Sequence, residues 1–177
     1  MKKFIFGVTI AGLCVFSALW APSIAADEGH QYQQAVKAGN FTLAAKILQP
    51  LAQAGDMHAQ YILGVYYSDG IGVSQSDETA FYWMQKSALQ DFAKAQMFLG
   101  VMYKRGRGVT QSNVNAVYWY KKSADQGNSL GQFHLANMIY QGHGTAQSNE
   151  AAIVLFKKSA AQGEPNAKTI LKRLGVK

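Results

Sequence analysis

Residues 59–94 read AQYILGVYYSDGIGVSQSDETAFYWMQKSALQDFAK, and the same pattern returns twice at a spacing of 36 residues. Leu63, Leu99, Leu135 and Leu171 share one register, and Gly64, Gly100 and Ala136 share the next. Gly70, Gly106, Gly142 and Gly72, Gly108, Gly144 form two further columns. Ala80, Ala116, Ala152 follow, then Trp83, Trp119, Leu155, then Ala88, Ala124, Ala160. Self-similarity at a period between about 20 and 50 residues marks units that bury their apolar faces only by stacking on one another. The expectation is therefore an all-α pile of like units.

Each unit reads as two helices around a glycine turn. Ala59, Ile62, Leu63, Tyr66 and Tyr67 recur at three and four residues, one face of an α-helix. Gly70 stands where a left-handed residue would end that helix, and Gly72 is expected to loosen the turn further. Ser76, Ser112 and Ser148 occupy the position before the second helix, where a hydroxyl can accept from a free amide of the first turn, worth about 1 kcal/mol. Ala80, Phe81, Trp83, Met84 and Ala88 then carry the second helix. Gly64 and Ala80 are expected at a close helix crossing, with the Trp83 indole filling the space beside them.

The string Ala59-x-x-x-Leu63-Gly64-x-x-Tyr67-x-x-Gly70-x-Gly72-Val73, followed by Ala80-x-x-Trp83 and Ala88, resembles the Sel-like repeat family, a relative of the tetratricopeptide repeats. The resemblance covers three units, residues 59–94, 95–130 and 131–166. Serine replaces the family's usual aspartate at the second-helix cap, and Ile139, Thr145 and Leu155 replace Tyr, Val and Trp in the third unit. The resemblance implies a right-handed α–α superhelix (solenoid), a protein-binding role and, for many bacterial members, export.

Flanking these units, residues 27–58 look like a degenerate leading unit. Tyr32, Ala35 and Val36 suit a helix ending near Gly39; Phe41, Ala44, Ala45, Ile47, Leu48 and Leu51 suit a second. Residues 167–177 look like a lone closing helix with Ala167, Ile170, Leu171 and Leu174 inward and Lys168, Lys172 and Arg173 outward. Atypical ends of this kind keep a consensus face from being left wet.

The chain opens with Met1-Lys2-Lys3, an apolar run from Phe4 to Trp20, and small residues at Ala21, Ser23, Ala25 and Ala26, the order of a secretory signal peptide over residues 1–26. Cleavage after Ala25 and cleavage after Ala26 both fit. A periplasmic or secreted location is the expectation, with residues 27–177 as one mature repeat domain. The single cysteine, Cys14, lies in the leader, so the mature chain would form no disulfide and rely on packing alone. The whole chain carries 17 Lys and Arg against 10 Asp and Glu; without Lys2 and Lys3 this becomes 15 against 10, a net charge of +5.

Catalytic constellations are absent from the sequence. It has no G-x-S-x-G, P-loop or H-E-x-x-H, and His30, His58, His134 and His143 show no metal-ligand spacing. Asp77 and Glu78 diverge on a helix and suit its dipole rather than acid–base work. The run Lys104-Arg105-Gly106-Arg107 fits the favourable placement of cations at a helix end, and export argues against nucleic acid as the partner. No enzyme activity, cofactor or metal is expected.

The first helices are apolar around most of their circumference, as in Tyr61, Ile62, Leu63, Val65, Tyr66 and Tyr67, so they need cover on more than one side. Matching the register to tetratricopeptide-like units places Tyr61 and Val65 on the inner wall of the superhelix. His58, Ser68 and Asp69 share that wall in the first unit; Lys94, Met97, Val101, Lys104 and Arg105 follow in the second, and Leu130, Phe133, Asn137, Tyr140 and Gln141 in the third. Tyr61, Met97 and Phe133 would form a row of large side chains bordered by cations, the composition that binding centres favour. If tight curvature closes the hollow, the same residues are core. The expectation is a non-enzymatic module holding a peptide or a loop of another protein, an acidic one in particular. The alternatives are an inhibitor or immunity protein blocking a toxin or cell-wall enzyme, and a weak hydrolase, as proposed for cysteine-rich relatives, for which the sequence supports no nucleophile, base or disulfides.

Overall fold

The computed structural model describes residues 21–176. Among them run α1 (Ala21–Lys37), α2 (Phe41–Gln53), α3 (Met57–Asp69), α4 (Asp77–Ala88), α5 (Ala93–Arg105), α6 (Asn113–Asp125), α7 (Ser129–Gln141), α8 (Asn149–Ala161) and α9 (Pro165–Arg173). The apolar leader and Cys14 lie outside the described residues, and Ala21–Ala26 begin α1. No helix among the described residues is long and apolar enough to cross a membrane. Each helix packs on its neighbours in sequence, giving an α-solenoid of helical hairpins closed by the single helix α9. α5 and α7, first helices of successive units, also touch, whereas no two second helices do so to the same extent, so α5 and α7 lie on the inner side of the stack.

One hairpin is built three times from the same chemistry. Gly70, Gly106 and Gly142 end the first helices at φ of 70°, 69° and 68°, a left-handed conformation that a Cβ would penalise. The next amide bonds back across the turn, from Ile71, Arg107 and His143 to the carbonyls of Tyr66, Met102 and Met138. Gln75, Gln111 and Gln147 each donate 2.9 Å side-chain bonds to carbonyls of the last turn, those of Ser68, Lys104 and Tyr140. The serine that follows closes the other end: Ser76, Ser112 and Ser148 accept from the amides of Thr79, Asn115 and Ala151. A Gln-Ser pair thus satisfies orphan groups on both sides of the turn, which is why the loop repeats so faithfully. At the far end, Ser87, Ser123 and Ser159 donate 2.8 Å bonds to the carbonyls of Met57, Ala93 and Ser129, tying each hairpin shut.

Two expectations about packing are corrected by the structure. The small residues at the helix crossing are met by Met84, Tyr120 and Phe156, not by the tryptophan column. A Cβ on Gly64 would lie 2.9 Å from Met84 Cγ, and one on Gly100 2.5 Å from Tyr120 Cδ1. Neighbouring residues on a helix point about 100° apart, so Trp83 turns away and joins Ala44, Leu48 and Ala52 of the preceding unit. Gly72, Gly108 and Gly144 do more than loosen the turn: each presses on the start of the preceding unit's second helix. A Cβ on Gly108 would fall on the Asp77 carbonyl, and on Gly72 or Gly144 it would meet Phe41 or Asn113 in the same way.

Candidate functional site

The expected inner-wall residues divide into two aromatic ends and a basic middle. At one end Tyr61, half-buried, makes edge-to-face contacts with Phe92 at 5.3 Å and Phe98 at 5.8 Å between ring centroids, and His58 meets Phe92 at 4.8 Å. Burial among these rings raises the Tyr61 phenol above its ordinary pKa. Val65 packs on the same cluster. In the middle, α5 presents Lys94 and Arg105 exposed, with Val101 and Lys104 half-exposed. At the other end Phe133 sits 5.3 Å from His134 and 5.9 Å from Phe156, and Tyr140 packs on the cluster around Phe156. Asn137 Nδ2 donates a 3.0 Å bond to the Phe133 carbonyl, which leaves its amide oxygen for other contacts.

The row of Tyr61, Met97 and Phe133 is broken at its centre. Met97 is only 6% exposed, so it serves the core rather than a guest. Ser68 is also buried; its hydroxyl donates to Asp69 at 3.0 Å and accepts from Arg107 Nη2 at 3.2 Å. Arg107 belongs to the framework: it forms an ion pair with Asp77 and donates to the Ser68 carbonyl at 3.1 Å. The basic run thereby splits, with Arg107 spent on joining two units and Lys104 and Arg105 left on α5.

His134, next to Phe133 on α7, packs against the preceding unit. It stacks on Tyr120 at 5.1 Å and 19° between planes. Burial first, then Lys104, lowers its pKa to about 4, with Arg105 adding and Glu164 opposing. Beneath it the Tyr120 hydroxyl is buried without a hydrogen-bond partner among the described residues. Phe92 is a residue that spacing alone passed over. Its signal was available: Asp56, Asn128 and Glu164 occupy the matching positions in the other units, and Phe92 is the exception. Among the described residues, no three His, Cys, Asp or Glu side chains cluster as a metal site would need.

Hairpins repeating in one register, stacked so that each unit buries its neighbour's face, define the class of α-solenoid helix–turn–helix repeat proteins. The Sel1 repeat model matches residues 58–92, 93–128 and 129–164, more than half of the chain, and the chain belongs to that family. Among solved structures, the fold is similar to a Sel1 repeat protein from Oxalobacter formigenes, with 30% identity and a TM-score of 0.73 over 80% of this chain and 56% of that one. It is also similar to a protective antigen of uropathogenic Escherichia coli strains displaying an SLR fold, with 36% identity and a TM-score of 0.72 over 76% of this chain and 30% of that one. This chain therefore spans about half of the first and less than a third of the second. Helicobacter pylori cysteine rich protein B shares the fold at 18% identity, with a TM-score of 0.56 over 79% of this chain and 94% of its own. No curated protein matches the chain. Repeats of this family commonly form protein–protein interaction modules.

Proposed function

We propose that this protein is an exported, periplasmic interaction module that holds a peptide or a protein loop along its inner wall and catalyses no reaction. The observation that carries the reading is the make-up of that wall. Tyr61, Phe133 and Tyr140 are half-exposed at its two ends, and Lys94, Lys104 and Arg105 lie between them. Aromatic rings bring large contact area at little entropic cost, and arginine and lysine steer an acidic guest toward them. Met97 is left out of the contact set; Val65, Val101 and Asn137 complete it.

The test is capture from cell-envelope extract by protein expressed from the full 177-residue sequence. Tyr61→Ala with Phe133→Ala should abolish capture of the main partner, with circular dichroism and melting checking that the helices remain. Because both rings also pack on neighbours, Lys104→Glu with Arg105→Glu gives a second variant on the solvent side. Retained capture by both variants contradicts the reading.

A further inference from the structure

The junction between the first and second units departs from its counterparts at two adjacent residues. Gly55-Asp56, Gly127-Asn128 and Gly163-Glu164 each supply a glycine and then a polar helix cap, where this junction has Asp91-Phe92. Asp91 is the one non-glycine residue with positive φ, 60°, among the described residues. Asp56, Asn128 and Glu164 accept from amides of the helices they precede, at 2.7, 2.8 and 3.2 Å, while Phe92 caps nothing. Both replacements work against the local stability of the α5 start. Where a chain otherwise consistent with its fold breaks a local rule twice in a row, function is the usual reason.

What the exchange provides is an aromatic wall. Phe92 touches His58 and Tyr61 and borders an open cleft of about 360 Å³, lined also by Met57, Ala93, Lys94 and Asn128. Met57 and Phe92 make its apolar side. Asp91 also lines the cleft, but its carboxylate faces Lys122 Nζ at 3.9 Å and accepts from Gln96 Nε2 at 3.1 Å, which leaves Lys94 as the lining charge without a counter-ion of its own among the described residues. Lys94 is in no ion pair among the described residues and begins the α5 line that continues to Lys104 and Arg105.

We propose that this cleft seats an apolar side chain of an acidic segment of a partner protein, with Lys94 meeting a carboxylate beside that side chain. The inference rests on the inner-wall reading above, whose edge the cleft forms. A second copy of this basic chain is a poor occupant by like charge, and a bare polyanion would leave Phe92 and Met57 unused.

The probe is a fluorescently labelled random copolymer of glutamate and tyrosine, with polyglutamate and a lysine–tyrosine copolymer for comparison, titrated against protein expressed from the full sequence. The glutamate–tyrosine copolymer should bind about tenfold or more tighter than polyglutamate, and the lysine copolymer not at all. Phe92→Asn, which restores the cap that Asn128 supplies in the next unit, should lose about tenfold or more in affinity while melting no lower than the parent. Equal binding of polyglutamate and the mixed copolymer, or unchanged affinity in Phe92→Asn, overturns the proposal. If Phe92→Asn melts lower, Lys94→Glu decides, and unchanged copolymer affinity there overturns it. Self-association, or adhesion to vesicles of phosphatidylglycerol, that disappears in Phe92→Asn would assign the cleft to a second copy or to lipid, and either overturns it as well. Loss of copolymer binding in Phe133→Ala with Tyr140→Ala, but not in Phe92→Asn, sinks the cleft and leaves the inner wall standing; loss in neither sinks both.

Discussion

Arg107, in the turn of the second repeat, reaches back to Asp77 at the start of the first repeat's second helix, with 2.6 Å between Nη2 and Oδ1. The same guanidinium donates to a carbonyl in the last turn of α3, that of Ser68. One side chain therefore joins the second unit to both helices of the first. The other turns have Ile71 and His143 at this position, and the second helices of the second and third repeats begin with Asn113 and Asn149. The clamp is peculiar to one junction. Asp77→Asn, which borrows the residue of the later units, should cost about 0.5–1 kcal/mol, and less in high salt, because both side chains are about a third exposed. Urea unfolding at low and high salt measures it; a salt-independent loss would mean that packing, not charge, is what Asp77 supplies.

The second glycine of each turn separates conformation from contact. Gly108→Ala should cost about 3 kcal/mol or more, since it adds a clash with the Asp77 carbonyl to the strain of a φ of 65°. Gly127→Ala has a φ of 82° with nothing within 4 Å, so strain alone remains, roughly 1–2 kcal/mol. Equal losses in the two variants would remove the close inter-unit approach from the account.

Tyr120 carries a hydroxyl that the fold does not use. It is 1% exposed, its oxygen has no partner among the described residues, and Phe156 fills the matching position one unit later. Tyr120→Phe should raise stability by about 1 kcal/mol, the desolvation cost of an unmade hydrogen bond. A loss of similar size in thermal unfolding would show that the hydroxyl is satisfied after all.

His134 predicts an acid limit. Its folded pKa is about 4 against an ordinary 6.5, so between those values the unfolded chain binds a proton that the folded chain refuses. Stability then falls as pH drops from 6.5 toward 4, by roughly 3 kcal/mol in all, and above 6.5 the residue contributes no slope. Melting at pH 7 and pH 4.5 for the parent and for His134→Gln measures this contribution. An acid slope as steep in the variant as in the parent would assign it to other groups.

The period of the repeat, the serine caps and the left-handed glycines could be read directly from residue columns, because each depends on a local requirement that few residue types meet. The partners across the helix crossing could not. Trp83 and Met84 are adjacent, large and apolar, and a single step of about 100° decides which faces Gly64. Gly72 looked like a local turn residue because the atom it approaches, the Phe41 carbonyl, belongs to another unit. Met97 shares its column with Tyr61 and Phe133, yet it alone is buried, since wall and core differ by small rotations of nearly all-apolar helices. The two aromatic ends of the candidate site were visible in that column; the contribution of Phe92 emerges only when the four unit junctions are compared.

Photo-crosslinking in the cell envelope tests most directly whether the inner wall holds the partner. A benzophenone amino acid placed at Val101 or Tyr140 on α5 and α7, and at Tyr82 or Tyr118 on the outward faces of α4 and α6, samples both sides of the stack; Tyr82 and Tyr118 are 48% and 52% exposed. The account predicts one discrete adduct from Val101 and Tyr140 and none from Tyr82 and Tyr118. A discrete adduct from the outward tyrosines, with none from Val101 or Tyr140, would contradict it.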